Sequence, residues 1–269
     1  MTKIRLKTIL LLTLAGIIDV FKEVKDPLNM ISKYYENFYG YVQDRWKKSN
    51  VYSLLRRSLK NEEIIRIDKS GSSQYQMTKK GLNKVTKCCP TLFLKQKKWD
   101  QKWRVVVFDI EETNRKTRDL LRNYLKYYGF GYLQKSVWIS PYDVFDKFKN
   151  IIEKYKIANK VILFETIKFS FDNENIANQV WPINKLNNEY FNFYKKLQEI
   201  EKLLNNKIEL QNINFSFKKI YKELVQTIFK DPHLPYEVLP KNWYYRKTVN
   251  LAKKIRRTLI NKSSNFGII

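Results

Sequence analysis

The chain has 269 residues, with 52 Lys plus Arg against 26 Asp plus Glu, one His and a formal net charge of +26. Apolar residues make up 43% and aromatic residues 15%, too much burial potential for a disordered polycation, so a folded basic protein of about two or three domains is expected. That charge favours polyanion partners, nucleic acid ahead of a membrane surface, although abundant Lys, Asn, Ile, Tyr and Phe also suit an A/T-rich coding bias.

Residues 3–20 carry Ile4, Leu6, Ile9, Leu10, Leu12, Leu14, Ile17 and Ile18 and predict a strongly apolar helix; residues 31–42 predict a second. The apolar run from Ile9 to Val20 is broken by Thr13 and Asp19 and is shorter than the roughly 20 residues a bilayer span needs, so a core helix is expected and no membrane segment. No small-residue cleavage pattern follows, and a cytoplasmic location is expected. The role of the Tyr-rich stretch from Phe21 to Lys48 stays open.

Ser49 and Asn50 read as an N-cap pair opening a helix whose buried stripe is Val51, Leu54, Leu55, Leu59 and Ile64. Its opposite face presents Asn50, Tyr52, Ser53, Arg56, Arg57 and Lys60. The period then changes to two, through Ile65 and Ile67, a turn over 68–73, and Tyr75 and Met77. A helix followed at once by a hairpin is the winged variant of helix-turn-helix. Thr78 caps a further short helix, and a boundary is expected near residue 90, before the basic connector LKQKKWDQK.

The middle segment opens with WRVVVFDI, Trp103 to Ile110, an apolar run that reads as a buried strand. Leu120, Leu121, Tyr124, Leu125 and Tyr128 follow at helical spacing, with Gly129 at the stop. FGYLQKSVWIS then reads as one bent strand or two short ones, and a helix from Tyr142 to about Tyr155 and a strand KVILFETIKF complete the pattern. The order suggests a split β-α-β, ferredoxin-like unit. From Val180 on, the signal is helical, over Leu186–Leu204, 215–229 and 246–260. The last two helices are separated by DPHLPYEVLPKNW, in which three Pro forbid helix and require a packed connector.

These segments give an α+β chain with three domains: 1–90 a winged-helix DNA-binding domain, 91–172 ferredoxin-like, and 173–269 helical. Double-stranded DNA is the expected partner. Ser49, Asn50, Tyr52, Ser53, Arg56, Arg57 and Lys60 offer base-edge and phosphate contacts along one helix, and Lys69 and Ser72 sit in the turn of the wing. The alternative for the helix is an ordinary solvated charged face.

Asp109, at the end of the first central strand, is the one enzymatic candidate: a carboxylate there can hold a divalent cation, and in a two-fold dimer two copies can face each other. The alternative is a helix cap or turn former. Glu111, Glu112 and Asp119 read as an acidic first helical turn. Trp181, Trp243, Tyr244 and Tyr245 read as core or as walls of a ligand pocket, and His233 as a satisfied polar residue in a packed loop. Cys88 and Cys89 are adjacent and His233 is the sole His, so neither a framework disulfide nor a zinc site is expected. No Ser-His-Asp set, Gly-rich phosphate loop or activated Cys is visible, so the expectation is a non-enzyme without a cofactor.

Three blocks resemble the phenylacetic-acid-degradation repressor (PaaX-like) family of transcriptional regulators. SLLRRSLKNEEIIRIDKSGSSQYQMTKKG is similar to its recognition helix, wing and Y-x-L-T-x-x-G ending, with Met77 in the Leu position. KWRVVVFDIEETNRKTRDLLRNYLKYYGFGYLQKSVWISP is similar to its central domain. DPHLPYEVLPKNW is similar to its C-terminal signature, with Val238 at one Leu position. The resemblance implies a repressor that binds operator DNA as a homodimer and is relieved by a small acyl-CoA-like effector. The central block also resembles the CRISPR-associated ferredoxin-like endonuclease, which would imply Mg2+ or Mn2+ at Asp109.

Overall fold

The computed structural model of the protein describes residues 48–265 apart from 70–71, 89, 95–97, 171 and 205–209; the helices expected over 3–20 and 31–42 lie outside the described residues. In chain order the elements are α1 (Lys48–Lys60), β1 (Ile64–Lys69), β2 (Ser72–Met77), α2 (Lys79–Cys88), α3 (Pro90–Leu94), β3 (Trp103–Phe108), α4 (Arg115–Tyr127), β4 (Gly131–Gln134), β5 (Val137–Ser140), α5 (Phe145–Lys154), β6 (Val161–Thr166), α6 (Asn173–Val180), α7 (Ile183–Leu204), α8 (Leu210–Lys230) and α9 (Tyr245–Asn265). Two compact units result: one takes the residues up to Cys88 with Phe193–Gln226 and those from Lys247 on, and the other takes Cys89–Asn192 with Thr227–Arg246.

In the first unit, α1 buries Leu55 and half-buries Leu54 and Leu59, as their spacing predicts, and also buries Ser58; the helix ends at Lys60, so Ile64, expected on the same stripe, is buried instead as the first residue of β1. The helix is already formed at Lys48, so Ser49 and Asn50 lie within its first described turn and not ahead of it. It ends where Glu62 takes a left-handed φ of 56°, letting the Glu63 N–H donate back to the Ser58 carbonyl at 2.9 Å. β1 and β2 pair antiparallel from Ile64↔Met77 to Lys69↔Ser72. Thr78 then caps α2: its hydroxyl accepts from the Gly81 N–H at 3.1 Å and donates to the Glu62 carbonyl at 2.6 Å.

The C-terminal helices of this unit bury one stripe each: Leu197, Ile200 and Leu204 on α7, Phe217, Tyr221 and Leu224 on α8, and Ala252, Ile255 and Leu259 on α9. Lys262 Nζ donates to the Leu204 carbonyl at 2.6 Å and Lys254 pairs with Glu201 at 2.8 Å, joining α9 to α7.

The second unit is built on a four-stranded antiparallel sheet in the order β4-β5-β3-β6. With α4 and α5 as crossovers, its element order is β-α-β-β-α-β, the split β-α-β plan. The FGYLQKSVWIS segment forms two strands. One face of the sheet, with Val106, Phe108, Trp138 and Val161, packs on Leu121 and Leu125 of α4 and Phe148 and Ile152 of α5. The other face is covered over β4 by α6 and Trp181, and only glycine fits at 131, where a Cβ would meet Val180 Cγ1 at 2.1 Å and the Trp181 ring at 2.6 Å. Along β6 the same face leaves Ile162 and Phe164 exposed.

The three-proline segment is packed by its own polar groups. Buried Asp231 accepts from the Tyr190 hydroxyl at 2.8 Å and from the His233 N–H at 2.6 Å, and the His233 carbonyl accepts from the Tyr142 hydroxyl. Leu234, Val238 and Trp243 are buried around it, with the Trp243 and Tyr190 rings edge to face at 5.5 Å.

Candidate nucleic-acid interface

Between Lys48 and Cys88 the sequence carries ten Lys and Arg against three acids, a net of +7. The fold sorts these charges. Both glutamates turn toward α2: Glu62 pairs with Lys80 at 3.0 Å, and Glu63, buried, pairs with Lys84 at 2.6 Å. Arg56, Arg57 and Lys60 stand exposed on α1, and among the described residues none of them is paired with an acid.

At roughly 3.6 residues per turn, positions 49, 53, 56, 57 and 60 fall on one side of α1, with 50 and 52 at its margins, opposite buried Leu55 and Ser58. Ser53 is exposed there, beside the arginines. The side chains of Ser49, Asn50, Tyr52, Lys69 and Ser72 lie outside the described residues; their backbones place the first three on α1 and the last two as the final pair of the hairpin, next to its turn. One face of α1 thus holds the Ser53 hydroxyl beside the Arg56 and Arg57 guanidinium groups and Lys60, which suits base edges flanked by phosphates.

A second buried constraint fixes this geometry. A Cβ at Gly81 would lie 2.0 Å from the Glu63 carbonyl oxygen, so α2 approaches the start of the hairpin more closely than any side chain permits.

The basic helix of the middle segment is different in kind. Arg115 and Arg122 of α4 bracket Asp119 at 3.6 and 3.8 Å, so these cations are partly engaged by the helix's own acid. Glu111 precedes the helix, Glu112 opens a 3-10 turn over Glu112–Asn114, and α4 starts at Arg115; the acidic first turn expected there does not form. Asp109 is exposed, its N–H donates to the Lys160 carbonyl at 3.0 Å, and it does not cap α4, whose N-cap is Asn114. Glu111 is 3.7 Å from Lys160 Nζ. Among the described residues no three acid, His or Cys side chains gather. Asp109 therefore brings a single carboxylate, which does not by itself fit a divalent cation.

Trp181 and Trp243 are buried in the core of their unit, and Tyr244 and Tyr245 pack against Phe191 and Tyr190. His233 sits in the polar cluster of Asp231, as a residue of a packed loop. A pocket of this unit lies elsewhere, around Trp99, Arg104 and Tyr142, which the sequence reading did not single out. The signal was present: an Arg in the otherwise apolar strand WRVVVF, four residues after Asp100.

The chain matches the family model described as PaaX protein central Cas2-like domain over residues 96–177, and that described as PaaX-like protein C-terminal domain over residues 181–267. It is 25% identical over 182 residues to the transcriptional repressor PaaX of Escherichia coli (strain K12), a match that takes in 64% of this chain and 56% of the repressor. The chain thus spans little more than half the length of that curated relative. In fold it is similar to an uncharacterised protein of Mycobacterium tuberculosis, with a TM-score of 0.50 at 14% identity over 92% of this chain and 97% of that one. With two adjacent family domains over 96–177 and 181–267, the chain belongs to the PaaX-like family.

Proposed function

We propose that this protein is a DNA-binding transcriptional regulator, a repressor that binds operator DNA as a homodimer. The observation that carries the reading is the exposed face of α1, where Arg56, Arg57 and Lys60 stand without acidic partners among the described residues, next to a hairpin in sequence, in a chain similar to a transcriptional repressor. In this reading residues 1–90 are a winged-helix domain, 91–172 a ferredoxin-like domain through which the chain dimerises, and 173–269 a helical domain. Ser49, Asn50, Tyr52, Ser53, Arg56, Arg57 and Lys60 enter the major groove, and Lys69 and Ser72 lie along the backbone or minor groove. A two-fold dimer presents its helices to half-sites about one helical turn, or a multiple of it, apart. The protein works in the cytoplasm without a cofactor, and a small acyl-CoA-like effector relieves it.

Selection from random duplexes with the purified protein, followed by gel shift against scrambled competitor, tests this. A recovered two-fold-symmetric site bound at least about 1000-fold more tightly than competitor supports it; equal binding to any duplex contradicts it. Light scattering at the same concentrations gives the oligomeric state.

The description of the central domain as Cas2-like favours a second reading, a nuclease acting through Asp109. Incubating labelled DNA and RNA with Mg2+ or Mn2+, beside Asp109→Ala, decides between them: cleavage lost in the variant would replace the regulator reading.

A further inference from the structure

The second unit holds a pocket of about 180 Å3 lined by Leu94, Lys98, Trp99, Asp100, Arg104, Pro141, Tyr142, Asp143 and Pro235. Its lining is mixed: Leu94, the Trp99 and Tyr142 rings and two prolines are apolar, and Lys98, Asp100, Arg104 and Asp143 are charged. The rings face it with carbon, because Trp99 Nε1 donates to the Lys102 carbonyl at 3.1 Å and the Tyr142 hydroxyl to the His233 carbonyl. The most buried of the charged groups is the Arg104 guanidinium, only 2% exposed, on β3, one of the two inner strands of the sheet.

Arg104 is held from both edges. Its Nε lies 3.3 Å from Glu165, on the side away from the pocket. On the pocket side its two terminal nitrogens grip both oxygens of Asp100, Nη1 at 2.6 Å, while Nη1 also donates to the Lys102 carbonyl at 2.9 Å and Asp143 stands 3.8 Å from Nη2. The two edges differ in exposure. Arg104 is sealed, but the Asp100 side chain that occupies its fork is 45% exposed and rises from the short loop before β3, not from a helix or strand. A planar carboxylate thus fills the fork, its Oδ1 also accepting the Lys102 N–H at 3.1 Å, and exposed Lys98 stands at the same rim.

We propose that this pocket binds a small organic carboxylate, whose carboxylate takes the place of Asp100 on Arg104 while its apolar body lies between Trp99, Tyr142 and the prolines. The exchange replaces one bidentate charge-assisted pair by another, so the buried guanidinium is never left without a counter-charge. Size sets the class of apolar body: a cavity of about 150 Å3 accommodates benzene, so a single ring or a short aliphatic chain fits. The site does not depend on the DNA-binding reading.

Isothermal titration of the full chain with benzoate, hexanoate and inorganic phosphate tests this, with circular dichroism as the check on folding. Benzoate or hexanoate binds and phosphate, lacking an apolar body, does not. Asp100→Asn removes the competing charge and tightens binding about ten-fold, the equivalent of one charge-assisted hydrogen bond. Lys98→Glu, an exposed change that leaves the fold intact, weakens it about three-fold, the scale of a surface charge pair. Absence of carboxylate binding to both the wild type and Asp100→Asn would overturn the proposal, as would equal binding of phosphate, or folded variants whose affinities stay at the wild-type value.

Discussion

The carbonyl oxygen of Glu63 and the α-carbon of Gly81 approach so closely that a methyl group on Gly81 would lie 2.0 Å from that oxygen. The carbonyl also accepts the Thr78 N–H at 3.1 Å, and the Glu63 carboxylate takes Lys84 Nζ at 2.6 Å, so one residue between helix and hairpin receives three groups from the far end of the hairpin and α2. The orientation of α1 relative to the hairpin depends on this junction.

Gly81→Ala is accordingly expected to destabilise the first unit by about 2 kcal/mol, because the clashing atom is backbone and cannot yield by rotating. The urea midpoint followed by far-ultraviolet circular dichroism measures it, and DNA affinity falls in parallel. A variant of unchanged midpoint would mean that α2 can shift away.

Gly131→Ala meets a different obstacle. Here the new methyl group strikes the ends of side chains, Val180 Cγ1 at 2.1 Å and the Trp181 ring at 2.6 Å. A loss of about 1 to 3 kcal/mol is expected, and Val180→Ala made alongside it recovers part of that loss. A double mutant whose loss equals the sum of the two single losses would contradict the packing of α6 on β4.

The Asp231 cluster gives an alkaline signature. Burial first, and then the charge of Asp231, push the hydroxyls of Tyr142, Tyr190 and Tyr245 well above the usual tyrosine range. The folded values are raised, so this share of stability is intact below the unfolded value of about 10 and is lost as pH rises beyond it. An ultraviolet titration of tyrosinate is expected to hold these hydroxyls protonated until near-ultraviolet dichroism collapses; their ionisation near pH 10 in a folded protein would contradict it. Tyr190→Phe, which leaves buried Asp231 one donor short, is expected to cost about 1 to 3 kcal/mol, read from the shift in thermal midpoint.

What the sequence makes legible follows how local the cause is. Leu54, Leu55 and Leu59 of α1, the change to strand after it and the Thr78 cap rest on neighbours a few residues apart, and each is where its spacing predicts, whereas the strands run on to Lys69 and from Ser72, into the segment expected as turn. The apolar run from Trp103 and the helix stop at Gly129 are equally local. The fate of Glu111 and Glu112 was not legible, because a 3-10 turn delays α4 to Arg115 and leaves both ahead of the helix, with Asp119 beyond its first turn. Nor were the polar bonds that pack the Asp231 loop: Tyr190 and Asp231 are 41 residues apart, and Tyr142 and His233 are 91. Arg104 falls between these cases. Asp100 is four residues away and its pairing is local, but Glu165 arrives only through the register of β3 with β6.

The central claim is that the exposed face of α1 reads duplex DNA, and the dependence of binding on salt tests it most directly. Arg56→Ala with Arg57→Ala is to be compared with wild type by gel shift across a series of salt concentrations, on one duplex recovered by selection. Each phosphate neutralised contributes about 0.9 to the slope of log affinity against log salt. The account predicts weaker binding and a slope about two shallower if both arginines meet phosphates, or about one shallower with relaxed sequence preference if one of them meets a base. Unchanged affinity and slope in a variant that keeps its wild-type circular dichroism would contradict it.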